Sequence, residues 1–406
     1  MSGACAGKLP ARVKGSRGSP GTRLPGQAGR DVRQMSVVRG LRLVAVLGLV
    51  GVAGCGSSGS GGGGGTAGTV ASGGTAGAGG AGGAGGAGGA AQGGSAGSAG
   101  STGGAESISG DTFVVTRLLL GDSNGALTPD ANAWKKLGMN LDGVASTPAD
   151  ATHCAPQPGG SKGAIQSDGE KGIDNSWGAN VVPMLSALKA GLSASVTDGL
   201  TAGDSSLLIH TPSFGNYTNI SGFVTSLYVA APTTEALAKI QRLATFECLA
   251  NGDLAQPLTT FPLSALKNSI LETGSPTTLT LPLDPKRVGF SSLRIHHARV
   301  SAWIHGSTVA PQADSGIIAG VLDTEELIAA FGQSAGALDP TLCDSTALAS
   351  VVQQLRAASD IMKDGTNGDP SKTCDGISVG IGFSAQSVKL TGRAAPAPAA
   401  PDPCAK

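Results

Sequence analysis

The sequence is poor in aromatic rings, poor in charge and without a long apolar run, and each shortage excludes something. Phe, Trp and Tyr make up 3% of the 406 residues, so the three tryptophans, Trp134, Trp177 and Trp303, stand out. A tryptophan in such a chain is more often a core anchor than a ligand platform. The longest apolar stretch, Leu43 to Gly54, is a dozen residues, short of the roughly 18–20 that cross a bilayer as a helix. Charged residues are 14% of the chain, and Lys286-Arg287 with Arg294 are thin support for a basic face, which argues against nucleic-acid binding through phosphate neutralisation. There is no Cys-x-x-Cys, and no two cysteines stand closer than thirty positions, so a recognisable zinc site is excluded. The 66 glycines follow no strict Gly-X-Y period with proline, which excludes collagen.

What is present begins with an address. Arg39 and Arg42 precede the apolar run, which ends in Val52-Ala53-Gly54-Cys55, the arrangement of a signal-peptide h-region and its cleavage site. The last four residues resemble the lipobox of bacterial lipoproteins, and the resemblance implies that Cys55 is lipidated and becomes the first residue of the mature chain. Met35 fits as the true start, with residues 1–34 an upstream extension of the leader 1–54. Nine of the 28 basic residues but only Asp31 of the 28 acidic ones lie in that leader. The apparent neutrality therefore belongs to the precursor, and the mature chain is net acidic.

From Cys55 to Ala105 the chain is nearly all Gly, Ala, Ser and Thr, with Val70 its one large apolar side chain. Such a segment cannot bury a core and reads as a disordered linker, with a root-mean-square reach of roughly 40 Å and a full extension of about 170 Å. Residues 106–392 read as a single globular domain, and 393–406 as a disordered Ala/Pro tail. With Cys5 removed and Cys55 lipidated, Cys154, Cys248, Cys343, Cys374 and Cys404 remain in a compartment that permits disulfides. Five is odd, so at most two intrachain bridges form. Cys343 with Cys374 is the favoured pair because they bracket a predicted helix; Cys154 with Cys248 is the second.

Period-two alternation predicts strands at Phe113–Leu120, Leu207–His210, Phe223–Val229, Leu279–Leu283 and Ile377–Phe383, the last with a clean half-buried pattern. Between Ser292 and His305 the apolar parity flips, from Leu293 and Ile295 to Ala298, Val300, Ala302 and Ile304. A β-bulge near His296-His297 would reconcile the halves and place Arg299, Ser301, Trp303 and His305 on one face. Helices are predicted at Thr128–Gly138, at Asn180–Ala190, from Asp323 to a stop at Gly332, and from Asp344 or Ser345 up to Asp364-Gly365. The expected fold is mainly β with α inserts: an antiparallel β-sandwich or jelly-roll-like domain with about four short helices. The Gly tract together with Thr112–Leu120, Asp168–Asn175, Gly316–Ile328 and Gly376–Phe383 resembles Gly-rich-tethered surface lipoproteins of myxobacterial type. That resemblance implies a location but no activity and no site residues.

Three Gly-x-Ser-x-Gly matches occur, at Gly93–Gly97, Gly159–Gly163 and Gly332–Gly336. A nucleophile elbow needs a strand before the serine and a helix after it, and even Ser334 follows a helix instead. Adjacent His296 and His297 point to opposite sides of a strand, which favours structural roles. The acidic Gly/Asn loops are better candidates. Asp168, Asp174 and Asn175 in one loop and Asp364, Asn367 and Asp369 in another place oxygen ligands beside turn-forming glycines, a chemistry that suits calcium, though neither matches the EF-hand spacing. The same residue types are also ordinary turn formers, as in Asp122-Ser123-Asn124-Gly125. The leading expectation is a lipid-anchored extracytoplasmic lipoprotein of the outer membrane or cell surface, not an enzyme, binding an envelope or extracellular ligand. The alternatives are a hydrolase, acting on glycans through carboxylates among Asp168, Glu170 and Asp174, and a structural envelope component.

Overall fold

Alternating apolar and polar residues build most of the ordered structure. The computed structural model describes residues 109–149, 152–204, 206–215, 219–230, 245–246, 257–307, 310–390 and 402–404. The leader, Cys55, the Gly-rich linker and Cys248 lie outside the described residues. The strands are β1 (Asp111–Leu119), β2 (Ser206–Thr211), β3 (Ile220–Ala230), β4 (Thr245–Phe246), β5 (Thr259–Lys267), β6 (Ile270–Glu272), β7 (Thr277–Pro282), β8 (Ser292–Ser307), β9 (Ala310–Asp323) and β10 (Gly376–Leu390). The helices are α1 (Lys162–Ile165), α2 (Val182–Leu188), α3 (Leu192–Ala202), α4 (Pro285–Val288), α5 (Thr324–Leu338) and α6 (Ser345–Ala357).

The fold is mainly antiparallel β with short helical inserts, as the alternation predicts. The strand order β1-β2-β3-β5-β6-β8-β9-β10 closes on itself, because β1 pairs antiparallel with both β2 and β10. A closed ladder leaves these strands without a free edge. β7 shares the edge of β8 with β6, and β4 runs parallel to the end of β10. Inside the ring Phe113, Ile209, Phe261, Ile295 and Ile381 are fully buried, each such side chain contributing roughly 1.5–3 kcal/mol. Phe290 packs between Trp177, at 5.7 Å, and Phe331 of α5, at 5.1 Å.

The bulge in β8 falls where the parity flip places it. The β8–β9 register jumps between His296 and Arg299, and His297 takes a left-handed φ of 51°. Leu293 and Ile295 before it and Ala298, Val300, Ala302 and Ile304 after it are all buried.

Several expectations are corrected. The first is β10, which is not half-buried: Ser378 and its neighbours from Ile377 to Phe383 are buried on both faces. Loops cover its outer side, and Gly380 is what allows this, since a Cβ there would lie 2.2 Å from the Leu137 carbonyl oxygen. The helix expected to stop at Gly332 runs on to Leu338 with Asp339 at its end, because nothing within 4 Å opposes Gly332 and a glycine inside a helix costs only about 1 kcal/mol. α6 ends at Ala357 rather than running up to Asp364-Gly365, and Thr128–Gly138 forms one short 3-10 turn, Ala133–Lys136. The segment Asn180–Ala190 is a π-turn, Trp177–Val181, leading into α2.

The disulfides are Cys154–Cys374 and Cys343–Cys404. Both expected pairings are thereby replaced. After α6 the chain folds back over residues 358–375, which carries Cys374 to the start of β10 and against Cys154; the backbone bonds between Ala155 and residues 372–374 hold that crossing. Cys343, left on the α5 side of α6, meets Cys404, so the tail expected to be free is fastened near its end. Gly336 gives the second disulfide its space, since a Cβ there would lie 2.5 Å from Cys343 Sγ and 2.6 Å from Cys404 Sγ.

Candidate functional site

The loops that cover the outer face of β10 gather four carboxyl groups. Turn chemistry brings them in from separate segments. In the 140–146 loop, Asn140 Oδ1 accepts from Gly143 N–H (2.6 Å) and Asp142 Oδ1 from Val144 N–H (2.8 Å), which folds Asp142 inward beside the segment that carries Asp168 and Asp174. Leu141 N–H donates to Asp174 Oδ2 (2.6 Å), and Ser146 N–H donates to Asp168. The fourth carboxyl, Asp360, follows α6. Ser378 of β10 donates to it through N–H (2.8 Å) and Oγ–H (2.5 Å).

Of the second acidic loop singled out in the sequence, Asn367 reaches this basin, at Asp142 and Cys154. Its amide donates to Asp142 Oδ2 (3.2 Å) and its Oδ1 accepts from Cys154 N–H (3.2 Å), beside the Cys154–Cys374 bridge. The His153 ring sits alongside, with Nδ1 3.3 Å from the Asn367 carbonyl oxygen. A carbonyl only accepts, so Nδ1 is the donor in this bond. His153 is 2% exposed and its Nε2 has no hydrogen-bond partner; neither has the Oε1 of Gln166, also 2% exposed, whose Nε2 donates to the Cys154 carbonyl (3.3 Å).

Burial and mutual repulsion disfavour the charged carboxylates. Burial, reinforced by the charge of Asp142 and then of Asp360 and Asp168, pushes Asp174 up to about 8. Burial and the charge of Asp168 push Asp360 up to about 7 against the hydrogen bonds from Ser378. Asp168 is raised as well, by burial and then by Asp142, while the nearby His153 acts in the opposite direction. Among the described residues none of the four carboxylates pairs with a lysine or arginine. Also among the described residues, no three His, Cys, Asp or Glu side chains already form a group that could hold a metal ion.

The remaining sequence candidates divide clearly. Asp364 and Asp369 sit outside this basin's bonding network and stabilise their own turns, accepting from Thr366 and from Ser371; those bonds hold both carboxyls below the ordinary range. Asn175 is a buried strut, its amide donating to the carbonyls of Leu137 (2.6 Å) and Gly380 (3.1 Å) while its Oδ1 accepts from Gly380 N–H (3.0 Å). Asp122 caps the start of α3 through Ser193. Ser334 lies inside α5, donating to the carbonyls of Gly289 (2.8 Å) and Ala330 (2.9 Å). His296 bonds Glu326 (2.7 Å), and exposed His297 on the bulge does not share its setting. The tryptophans occupy three settings: Trp177 is in the core, Trp134 half-buried beside Gly178, and Trp303 half-exposed and stacked on His305 at 4.1 Å.

Comparison with protein-family models, with curated proteins and with solved structures finds no match. The chemistry is therefore read from these residues alone. A protonated Asp174 beside ionised carboxylates is the pairing that acid–base hydrolysis uses. Here, however, Asp174 is 4% exposed with one oxygen held by Leu141, and Glu170 of the same loop faces solvent against Lys136. Asp142, His153, Gln166 and Asp360 were missed in the sequence. Asn140-Leu141-Asp142-Gly143 carries the same Asp/Gly signal as the loops that were singled out, whereas Asp360 was hidden in a helix drawn too long.

Proposed function

We propose that this chain is a lipid-anchored protein of the cell envelope, at the outer membrane or cell surface, held at Cys55 and extending its β-rich domain on the 55–105 tether to bind a ligand or partner. The observation that carries this reading is the lipobox-like Val52-Ala53-Gly54-Cys55 followed by an uncharged linker. Two disulfides between distant segments support it, because such bridges persist in oxidising compartments. Among the described residues no helix is long and apolar enough to cross a membrane; the acyl group at Cys55 is the anchor this reading assigns.

A contact surface is available on the outward side of β3, β5, β6 and β8. Val224, Leu263, Ile270 and Trp303 are 48%, 67%, 44% and 49% exposed there, and Ile270 stands directly opposite Trp303. Adjacent exposed apolar side chains such as Ile270 and Trp303 mark interaction surfaces more often than scattered single ones do. The test is metabolic labelling of a bacterial host with a clickable palmitate analogue, followed by membrane fractionation. The full chain is expected to carry label and to sediment with membranes, and Cys55→Ser to lose both. An unlabelled wild-type chain recovered entirely in the soluble fraction would overturn the reading.

A further inference from the structure

We propose that the indole of Trp303 is the platform of a binding site for a neutral glycan, taking the apolar face of a pyranose ring whose hydroxyls are equatorial, as in a β-linked glucan. This deepens the ligand-binding part of the proposed function, on which it rests, and needs nothing from the acyl anchor. The bulge in β8 decides which side chains stand on the outer face. Beyond it Arg299, Ser301, Trp303 and His305 point outward, alternating with buried residues. The neighbouring strands complete the patch through directly opposed residues, whose Cβ atoms lie roughly 4.5–5.5 Å apart. Ile270 of β6 and Asp314 of β9 stand on either side of Trp303, and Glu272 of β6 stands opposite Ser301.

Three features suit this patch to a sugar. The indole is held in place: His305 stacks on one of its faces, with ring centroids 4.1 Å apart and planes 23° from parallel, and His305 Nε2 lies 2.7 Å from Asp314 Oδ2. A ring already fixed loses little freedom when a ligand settles on it. The second face is open. Its neighbour along β8 is Ser301, the smallest side chain of the outward row, and among the described residues the one cation over a tryptophan ring is Lys135, over Trp134. With one face covered by His305, Trp303 is still 49% exposed, and half-exposed Ile270 widens the apolar floor beside it. The rim is polar and carries both signs. Glu272 and Asp314 offer acceptors and Arg299 and Ser301 offer donors, and among the described residues neither Glu272 nor Arg299 has an ion pair. Donors and acceptors around an apolar ring match a neutral polyol, which presents C–H groups on one side and hydroxyls at its edge. An anion would meet Glu272 and Asp314 here, and a cation would meet Arg299.

The test is affinity electrophoresis of the full chain, in mild detergent, through native gels containing laminarin or hydroxyethylcellulose as soluble neutral β-glucans, with polygalacturonate as an anionic polysaccharide in parallel. Migration is expected to be slowed by at least one of the neutral glucans and not by polygalacturonate. Trp303→Ala is expected to weaken that binding at least about tenfold, and Ser301→Leu, which keeps the indole but covers its open face, by a similar factor. Glu272→Gln should weaken it roughly fivefold. Arg294→Gln, on β8 before the bulge, should leave it unchanged. No retardation by either glucan, retardation by polygalacturonate alone, or retardation indifferent to both Trp303→Ala and Ser301→Leu would overturn the proposal. A dimer in sedimentation analysis that Trp303→Ala dissociates, without any effect of glucan, would overturn it in favour of a second copy of the chain on the same patch. Both substitutions lie on the solvent side of β8, and if one variant fails to fold the other decides. Palmitate labelling at Cys55 is unaffected by any of these outcomes, so failure of the glycan site and failure of the anchor are told apart.

Discussion

Gly336 illustrates how one absent side chain fixes a larger arrangement. In a helix interior alanine is worth about 1 kcal/mol more than glycine, so Gly336→Ala would ordinarily stabilise α5. Here the added methyl would sit 2.5 Å and 2.6 Å from the two disulfide sulfurs, and overpacking of that kind costs about 1–3 kcal/mol. The expected result is a net loss of about 1 kcal/mol in urea denaturation of the oxidised chain. In a Cys343→Ser/Cys404→Ser background the sign reverses, because the side chain at 343 is then free to rotate away. A stabilising Gly336→Ala in the disulfide-bonded chain would contradict the packing described. Residue identity in the basin follows similar logic. Ser378 and Gly380 look like solvent-side residues of a half-buried strand, yet one donates two hydrogen bonds to Asp360 and the other makes room for Leu137 and Asn175. Nothing in the alternation itself distinguishes a small residue that faces water from one that faces a covering loop.

At the scale of elements, α5 depends on its first residue. Asp323 accepts from Glu325 N–H (3.0 Å) and Glu326 N–H (3.2 Å) and lies 3.4 Å from the Lys363 ammonium. Burial acts to raise its carboxyl, but the Glu326 and Glu325 amides and Lys363 outweigh that and hold it below 3.8. The cap's contribution is therefore full above the unfolded value of 3.8 and is lost as pH falls through the lower folded value. Asp323→Ala is expected to cost about 1 kcal/mol at neutral pH, measured by chemical denaturation, and the difference from wild type should vanish in strong acid. A pH-independent difference would mean that the carboxylate is not what caps the helix.

The elements legible beforehand were those with a local signature. The Asp-x-Glu-Glu start of α5, the alternation of β1, β2, β7 and β10, and the bulge at His296-His297 all follow from neighbouring residues. What was not legible depends on partners far along the chain. α3 keeps helical spacing in Leu192, Val196 and Leu200 but hides it among serines and threonines that bond to β1. β5 and β6 are short or irregular, with left-handed residues at Leu263, Asn268 and Ser269 that break their alternation. The cysteine pairing needed the return path of residues 358–375, which no spacing encodes.

In the whole molecule, the closing of β10 on β1 joins the first and last strands of the domain, and the Cys154–Cys374 bridge spans a sequence separation of 220. The acidic basin is assembled by the same closure, since Asp360, Asn367 and Cys374 reach Asp142, Asp168 and Asp174 only once β10 is in place. Half of the site was therefore visible in the sequence as Asp/Asn/Gly loops, while the orphaned His153 and Gln166 became visible only when the loops were folded together. The exposed face bearing Ile270 and Trp303 involves other strands of the ring, β6 and β8, so contact surface and basin involve different residues of one domain. The account stands most directly on the acyl group at Cys55. Intact mass spectrometry of the full chain purified from bacterial membranes should record a mature chain that starts at Cys55 and carries the added mass of its acyl groups, lost in Cys55→Ser. A wild-type chain of unmodified mass would contradict it.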